Sequence, residues 1–183
     1  MRLASILTSE EVDGYYIVFI AEATPRREMD NAEELLGMML LVRLLNRAGL
    51  PTMVAYCSSD MILYKYAGAT DCCSGNYFNL RRFASSRFED PLDGGQLLSY
   101  WFEHSLFAFV RQADVLRLRR SGCSDLLSCS FSSNVWADKI MQNLSAEEPQ
   151  PWVRWGWRQY LAWFWQAERS VSNSTTQTNT IRQ

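Results

Sequence analysis

The chain has 183 residues, 48% of them hydrophobic and 21% charged, with a formal net charge of −2. That length supports one well-buried core and is too short for two comfortable ones. The charge balance excludes a general attraction to nucleic acid or to an anionic membrane. The longest apolar run, residues 35–45, contains Arg43 and falls short of the roughly 20 residues a membrane span needs.

Residues 1–7 meet Glu10 and Glu11 before any long apolar stretch of a secretory signal develops. The five cysteines (Cys57, Cys72, Cys73, Cys123 and Cys129) make an odd set. Together these point to a reducing cytoplasm with free thiols.

Residues 15–21 (YYIVFIA) are β-branched and aromatic between Asp13-Gly14 and Thr24-Pro25, the pattern of a buried strand. Asp30 or Asn31 can cap a following helix, and Glu33 and Glu34 suit its positive first turn. Leu35, Met38, Met39, Val42 and Leu45 form its apolar stripe, and Ala48-Gly49 closes it. Residues 51–57 (PTMVAYC) are the next strand, which completes a βαβ unit with parallel strands.

Ser58-Ser59-Asp60 is a polar turn, and residues 61–66 (MILYKY) are expected as another strand. Residues 67–79 are small and irregular. Residues 85–95 (SSRFEDPLDGG) crowd three carboxylates, a proline and two glycines into one turn. A helix is expected over 96–110, a half-exposed strand over 115–119, and a strand over 126–131 that pairs with it. Residues 136–144 are expected as a short helix and 146–151 as a linker. Residues 151–169 then form a tryptophan-rich helix with Pro151 near its start. The tail, 170–183, is polar and too poor in apolar residues to fold alone.

The fold class is therefore mixed α/β: an N-terminal βαβ unit, a central mixed sheet flanked by helices, and a Trp-rich C-terminal helix. One domain is expected over 1–169, with a disordered tail over 170–183.

The first strand-to-helix loop, residues 22–27, has no glycine, so the dinucleotide fingerprint is absent; Arg26 and Arg27 are its charged residues. In the acidic turn Asp93 suits an N-cap, and Arg81, Arg82 and Arg87 are near enough in sequence to neutralise Glu89, Asp90 and Asp93. Two readings stand, a capped helix start with local ion pairs and an acidic lip on a site. The oxygen alternation of a calcium loop is missing. His104 is the sole histidine, so any Ser-His-Asp or Cys-His pairing must use it. No Gly-x-Ser-x-Gly element is present, and the vicinal pair Cys72-Cys73 lacks zinc-ligand spacing. No metal is expected. Trp152, Trp155, Trp157, Trp163 and Trp165 surround Tyr160 and Phe164, which suits either core or a contact with a second copy or another protein.

Leu63 to Tyr66, Ser85-Ser86 and the Phe88-Glu89-Asp90-Pro91-Leu92-Asp93 turn resemble a bacterial family of unknown function. Its members carry a Leu-Tyr-Lys-Tyr strand and, about two dozen residues on, a Phe-Asn-Asp-Pro-Phe-Asp turn. Cys129-Ser130-Phe131-Ser132 followed by Trp136 echoes a third family element. Glu89 and Leu92 depart from the family turn, and the resemblance spans roughly 61–138. The family pattern in turn looks like ADP-ribosyltransferase folds, in which an early aromatic and basic strand grips NAD. The resemblance implies that Tyr64, Lys65 and Tyr66 line a nucleotide cleft with Asp90 and Asp93 at its rim.

Two functions follow. In the first, Tyr64, Lys65 and Tyr66, the Arg81-Arg82-Arg87 group and Asp90/Asp93 hold a nucleotide-like or other anionic small molecule, with NAD or a nucleotide as the candidate cofactor. In the second, a non-catalytic interaction or immunity-type protein uses residues 152–165 to contact a partner. Neither reading involves nucleic acid or a membrane.

Overall fold

The computed structural model describes residues 11–21, 29, 31–75, 81–84, 98–123 and 134–181. The expected mixed α/β class holds, with helices and small sheets of both parallel and antiparallel strands. One domain is expected over 1–169, and contacts group the chain into two compact units. One is Met1–Glu89 with Ala167–Gln183, and the other is Asp90–Gln166.

In the first unit, β1 (Tyr15–Val18) and β2 (Ile20–Ala21) divide the apolar run at Phe19. Helix α1 (Ala32–Arg47) follows, capped by Asn31, whose side chain accepts from the backbone amides of Glu33 and Glu34 at 3.1 and 3.2 Å. Met38, Val42 and Leu45 of the expected stripe are buried. Gly49, at φ 79°, ends the helix as the sequence requires, with the Leu50 amide returning to the Leu45 carbonyl. Strand β3 (Thr52–Ala55) then pairs parallel with β1, Tyr15 opposite Thr52 through Val18 opposite Ala55. The βαβ unit is present.

Residues 61–66 are not a strand. They form helix α2 (Met61–Ala67), closed by Gly68 at φ 108°. Met61, Tyr64 and Lys65 are buried while Leu63 and Tyr66 are exposed, a helical spacing rather than alternation. Six apolar-looking residues cannot settle the period from sequence; the burial pattern does, and Gly68 in the left-handed region ends the helix. Strand β4 (Asp71–Cys72) joins the far side of β3, and β5 (Phe83–Ala84) pairs with β2, both parallel.

The second unit corrects two more expectations. The helix expected over 96–110 gives way, in its described part, to an antiparallel hairpin of β6 (Tyr100–Glu103) and β7 (Ala108–Arg111). Aromatic and β-branched residues on both sides of a four-residue turn favour this pairing over a helical face. Residues 115–119 lie in helix α3 (Gln112–Arg120), with Val115 buried and Arg117 exposed. Helix α4 (Val135–Leu144) matches expectation and is capped by Asn134. Residues 126–131 lie outside the described residues. Trp101, Val115, Ala137, Ile140, Leu144 and Trp152 form the core here.

The last helix, α5 (Val153–Ile181), runs past the boundary at 169 suggested by composition. Its start is tied to the hairpin through polar bonds. The Gln159 side-chain amide both accepts from the Phe102 backbone N–H, at 3.0 Å, and donates to the Phe102 carbonyl, at 3.1 Å. The Trp152 indole N–H donates to the Tyr100 carbonyl at 3.0 Å. This close approach needs Gly156, where a Cβ would lie 2.5 Å from the Tyr100 carbonyl oxygen.

Gly156→Ala is therefore expected to cost about 2 kcal/mol of unfolding free energy, in the range for overpacking. Gly37→Ala, in the α1 interior with no atom within 4 Å of its Cβ, is expected to stabilise by about 0.5–1 kcal/mol. Urea denaturation of the two variants checks both signs.

Candidate functional site

Parallel β-strands gather chemistry where their carboxyl ends open, because the connections there leave the sheet together. In the first unit that edge carries Phe19 after β1 and the run Tyr56-Cys57-Ser58-Ser59-Asp60 after β3. Arg81 and Arg82 precede β5. A cleft opens here. Its buried floor is Ala55, Tyr64 and Arg82, and its half-buried rim is Phe19, Met29, Tyr56 and Asp60. The cleft spans about 240 Å³ of non-protein space, open solvent included, and has room for about one water molecule.

Arg82 is the unusual member. It is 3% exposed, and its Nη1 and Nη2 make no hydrogen bond among the described residues. Asp60 Oδ2 lies 3.6 Å from Nη2, close enough for charge pairing and too long for a hydrogen bond. Asp60 also organises its own turn, since its Oδ1 accepts the Ser58 backbone N–H at 2.7 Å. The Tyr64 hydroxyl lies 3.4 Å from Asp60 Oδ2 and 3.2 Å from Met38 Sδ. Burial, reinforced by the Asp60 charge, pushes the Tyr64 phenol far up, so it stays a neutral hydroxyl. The neighbouring Arg81 is fully buried and donates to the Ser58 hydroxyl.

Two aromatic contacts frame the cleft. Phe19 stacks on Tyr64 with centroids 5.6 Å apart, and Tyr56 meets Phe83 edge-on at 5.2 Å. Tyr56 has φ 58°, a left-handed backbone that costs a non-glycine residue about 1–2 kcal/mol. Strain of that kind collects at binding sites.

The residues expected from sequence separate here. Tyr64 lines the cleft. Lys65, on the same buried side of α2, turns to other partners: its Nζ lies 2.8 Å from Glu168 Oε1 and donates to the Thr70 carbonyl at 2.6 Å. Tyr66 is 79% exposed on the opposite side. A helix sends three successive side chains about 100° apart, so the triplet cannot line one wall as it would in a strand. Arg87, Asp90 and Asp93, with the whole 85–95 turn and Arg26 and Arg27, lie outside the described residues.

The other candidates resolve into structure. His104 sits in the β6–β7 turn, its Nδ1 3.7 Å from Glu103 Oε1. Glu103 is buried and accepts from the Trp101 indole at 3.0 Å and from the Ser105 hydroxyl at 2.7 Å, which fixes the turn. Trp152 and Trp163 are buried, and Trp163 packs on Phe102 and Phe107. Trp165 is exposed. Burial raises the Cys57 thiol, with Cys72 beside it adding to the effect, and raises Cys73 as well. Among the described residues no group of three His, Cys, Asp or Glu side chains is placed to hold a metal ion. No described helix is long and apolar enough to cross a membrane.

Ser58-Ser59-Asp60, expected as a polar turn between two strands, is instead the second strand-to-helix connection of the unit. The position of Tyr56 to Asp60 directly after the second parallel strand was the available signal. Comparisons with protein-family models, curated proteins and solved structures found no match for this chain.

Lys65→Met strips the counter-charge from Glu168 and is expected to cost about 3 kcal/mol of stability, the range for half of a buried ion pair. Urea titration measures it. The thiols carry a pH signature. Because the folded Cys57 holds its proton above the ordinary thiol value of about 8.5, the unfolded chain loses protons first as pH rises. Stability should decline above that pH, and Cys57→Ala should flatten the decline between about pH 8.5 and 10.

Proposed function

We propose that this protein binds a small molecule bearing an oxyanion, a phosphate or carboxylate group, in the cleft beside Arg82. The observation that carries the reading is a guanidinium at 3% exposure, on a residue that lines the cleft, whose two terminal nitrogens make no hydrogen bond among the described residues. Leaving such a group buried is costly. An oxyanion that offers two oxygens side by side is the ligand whose geometry answers it, through paired N–H···O bonds. The position of Phe19 and Tyr56 at the carboxyl ends of β1 and β3 supports the same reading, with Arg82 brought beside them at the start of β5. A nucleotide, NAD included, fits this class through its phosphates, and the cytoplasm of a bacterium is the setting proposed for it.

Partner binding through residues 152–165 gains less support. Trp152 and Trp163 are core side chains, which leaves Trp165 as the exposed tryptophan of that group.

Thermal shift against inorganic phosphate, AMP and NAD at millimolar concentration tests the reading. A ligand at a hundred times its Kd adds about 2.7 kcal/mol of apparent stability. The control variant is Arg82→Met/Asp60→Asn, which removes the cation and its counter-charge together and keeps an acceptor for the Ser58 amide. It is expected to fold and to lose the shift. No shift with any of these anions in the wild-type chain, or an undiminished shift in the double variant, overturns the proposal.

A further inference from the structure

The first unit also holds a pair of buried thiols that anion binding leaves unused. Cys57 is 1% exposed and Cys72 9%, and both are free. The two residues meet at one rung of the sheet. Cys72 in β4 stands opposite Val54 of β3. The Val54 carbonyl accepts the Cys73 amide at 2.9 Å and the Cys57 thiol at 3.1 Å. The Cys57 amide in turn donates to the Cys73 carbonyl at 2.9 Å. The Cys57 and Cys72 side chains are thereby in hydrogen-bonding contact. The Cys72 thiol lies 3.8 Å from the Met61 carbonyl, at the start of α2. Among the described residues no third His, Cys, Asp or Glu completes a metal-ligand set with them. Two thiols in contact on adjoining segments are the arrangement a disulfide needs.

We propose that Cys57 and Cys72 are a reversible redox-modification site, joined in the folded chain as an intramolecular disulfide by exchange with a low-molecular-weight disulfide. The Cys72 thiol loses its proton to solvent, attacks one sulfur of the oxidant and expels one thiolate. The Cys57 thiolate then attacks Cys72 Sγ in the mixed disulfide and expels the second. The two cysteines give up two electrons and two protons, and the oxidant leaves as two thiols. Burial keeps the resting pair out of reach, so the exchange waits on local opening. Strand β4 suits that step. It is two residues long and stands at the end of its described sheet, so Cys72 can be exposed without unfolding the unit. The bond fastens to β4 the turn that carries Tyr56 and Asp60, and it does not depend on anion binding.

Oxidised glutathione, applied to the full chain in buffer without denaturant, tests the proposal. Peptide mass mapping, with the remaining thiols blocked, is expected to find Cys57 joined to Cys72, and dithiothreitol should restore both thiols. The variant Cys73→Ser/Cys123→Ser/Cys129→Ser keeps this pair alone, and its count of free thiols should fall from two to none with no intermolecular bond on a non-reducing gel. Cys57→Ala should instead carry glutathione on Cys72, because the thiol that resolves the mixed disulfide is gone. Thermal melts check that each variant is folded, and the wild-type map decides alone where one is not. Cys57 and Cys72 both remaining thiols in the wild-type chain overturns the proposal. So does pairing of either with Cys73, or a bond that forms only at urea concentrations that unfold the chain.

Discussion

The parallel pairing of Tyr15–Val18 with Thr52–Ala55 is the constraint from which the first unit follows. Parallel strands need a crossover, and α1 supplies it with one buried stripe and one charged flank. Both strands then end on the same side, so Phe19 and Tyr56 leave the sheet as neighbours across the cleft. Adding β4 parallel to β3 fixes the return of the chain through Thr70, whose hydroxyl accepts the Thr52 amide and whose carbonyl accepts Lys65 Nζ. The cleft is thus a consequence of strand direction. Its residues come from segments far apart in sequence, held by one register.

How far this could be read from the residues depended on which physical signal each segment carried. The βαβ unit was legible because strand composition, an Asn cap, a 3–4 stripe and a closing glycine all agreed. Residues 61–66 and 115–119 were misread for the opposite reason, since runs of five or six residues satisfy both periods and burial alone separates them. The 100–111 hairpin was masked by its density of aromatics, which occupy a helical face on paper as easily as two strand faces. The site was half legible. Tyr64 and Arg82 were named, yet Lys65 was assigned to a cleft when its charge is spent on Glu168. No sequence pattern reveals that pairing, because Lys65 and Glu168 meet only after the chain has folded.

The tryptophan-rich segment shows the same limit from the other side. Its composition suited either a core or a contact surface, and the choice was made by the hairpin it covers. Phe102 meets Tyr160 at 5.0 Å and Trp163 at 4.5 Å, so these two rings of α5 are occupied within their own unit, while Trp165 stays exposed. Gln159 and Trp152 hydrogen-bond to the β6 backbone and thereby protect strand polar groups that would otherwise be buried without partners. Gly156 sits between them because two polar bonds this short leave no room for a Cβ.

That thoroughness gives Arg82 its meaning. In the second unit, Glu103, Gln159 and the indoles of Trp101 and Trp152 are all buried and all hydrogen-bonded. Arg82 differs from these groups in that, among the described residues, its Nη1 and Nη2 are buried without a hydrogen bond. Among the described residues the unmet hydroxyls of Thr52 and Ser74 are lesser matters, because a neutral oxygen loses far less on leaving water than a cation does. Arg82 carries a full charge, five donors and one counter-charge held beyond hydrogen-bond distance. A structural arginine would be better served by moving closer to Asp60, which its own Ser58 amide bond holds in place. The separation of 3.6 Å therefore leaves the guanidinium charge-balanced while Nη1 and Nη2 make no hydrogen bond among the described residues, which is what the proposed anion-binding role asks of it.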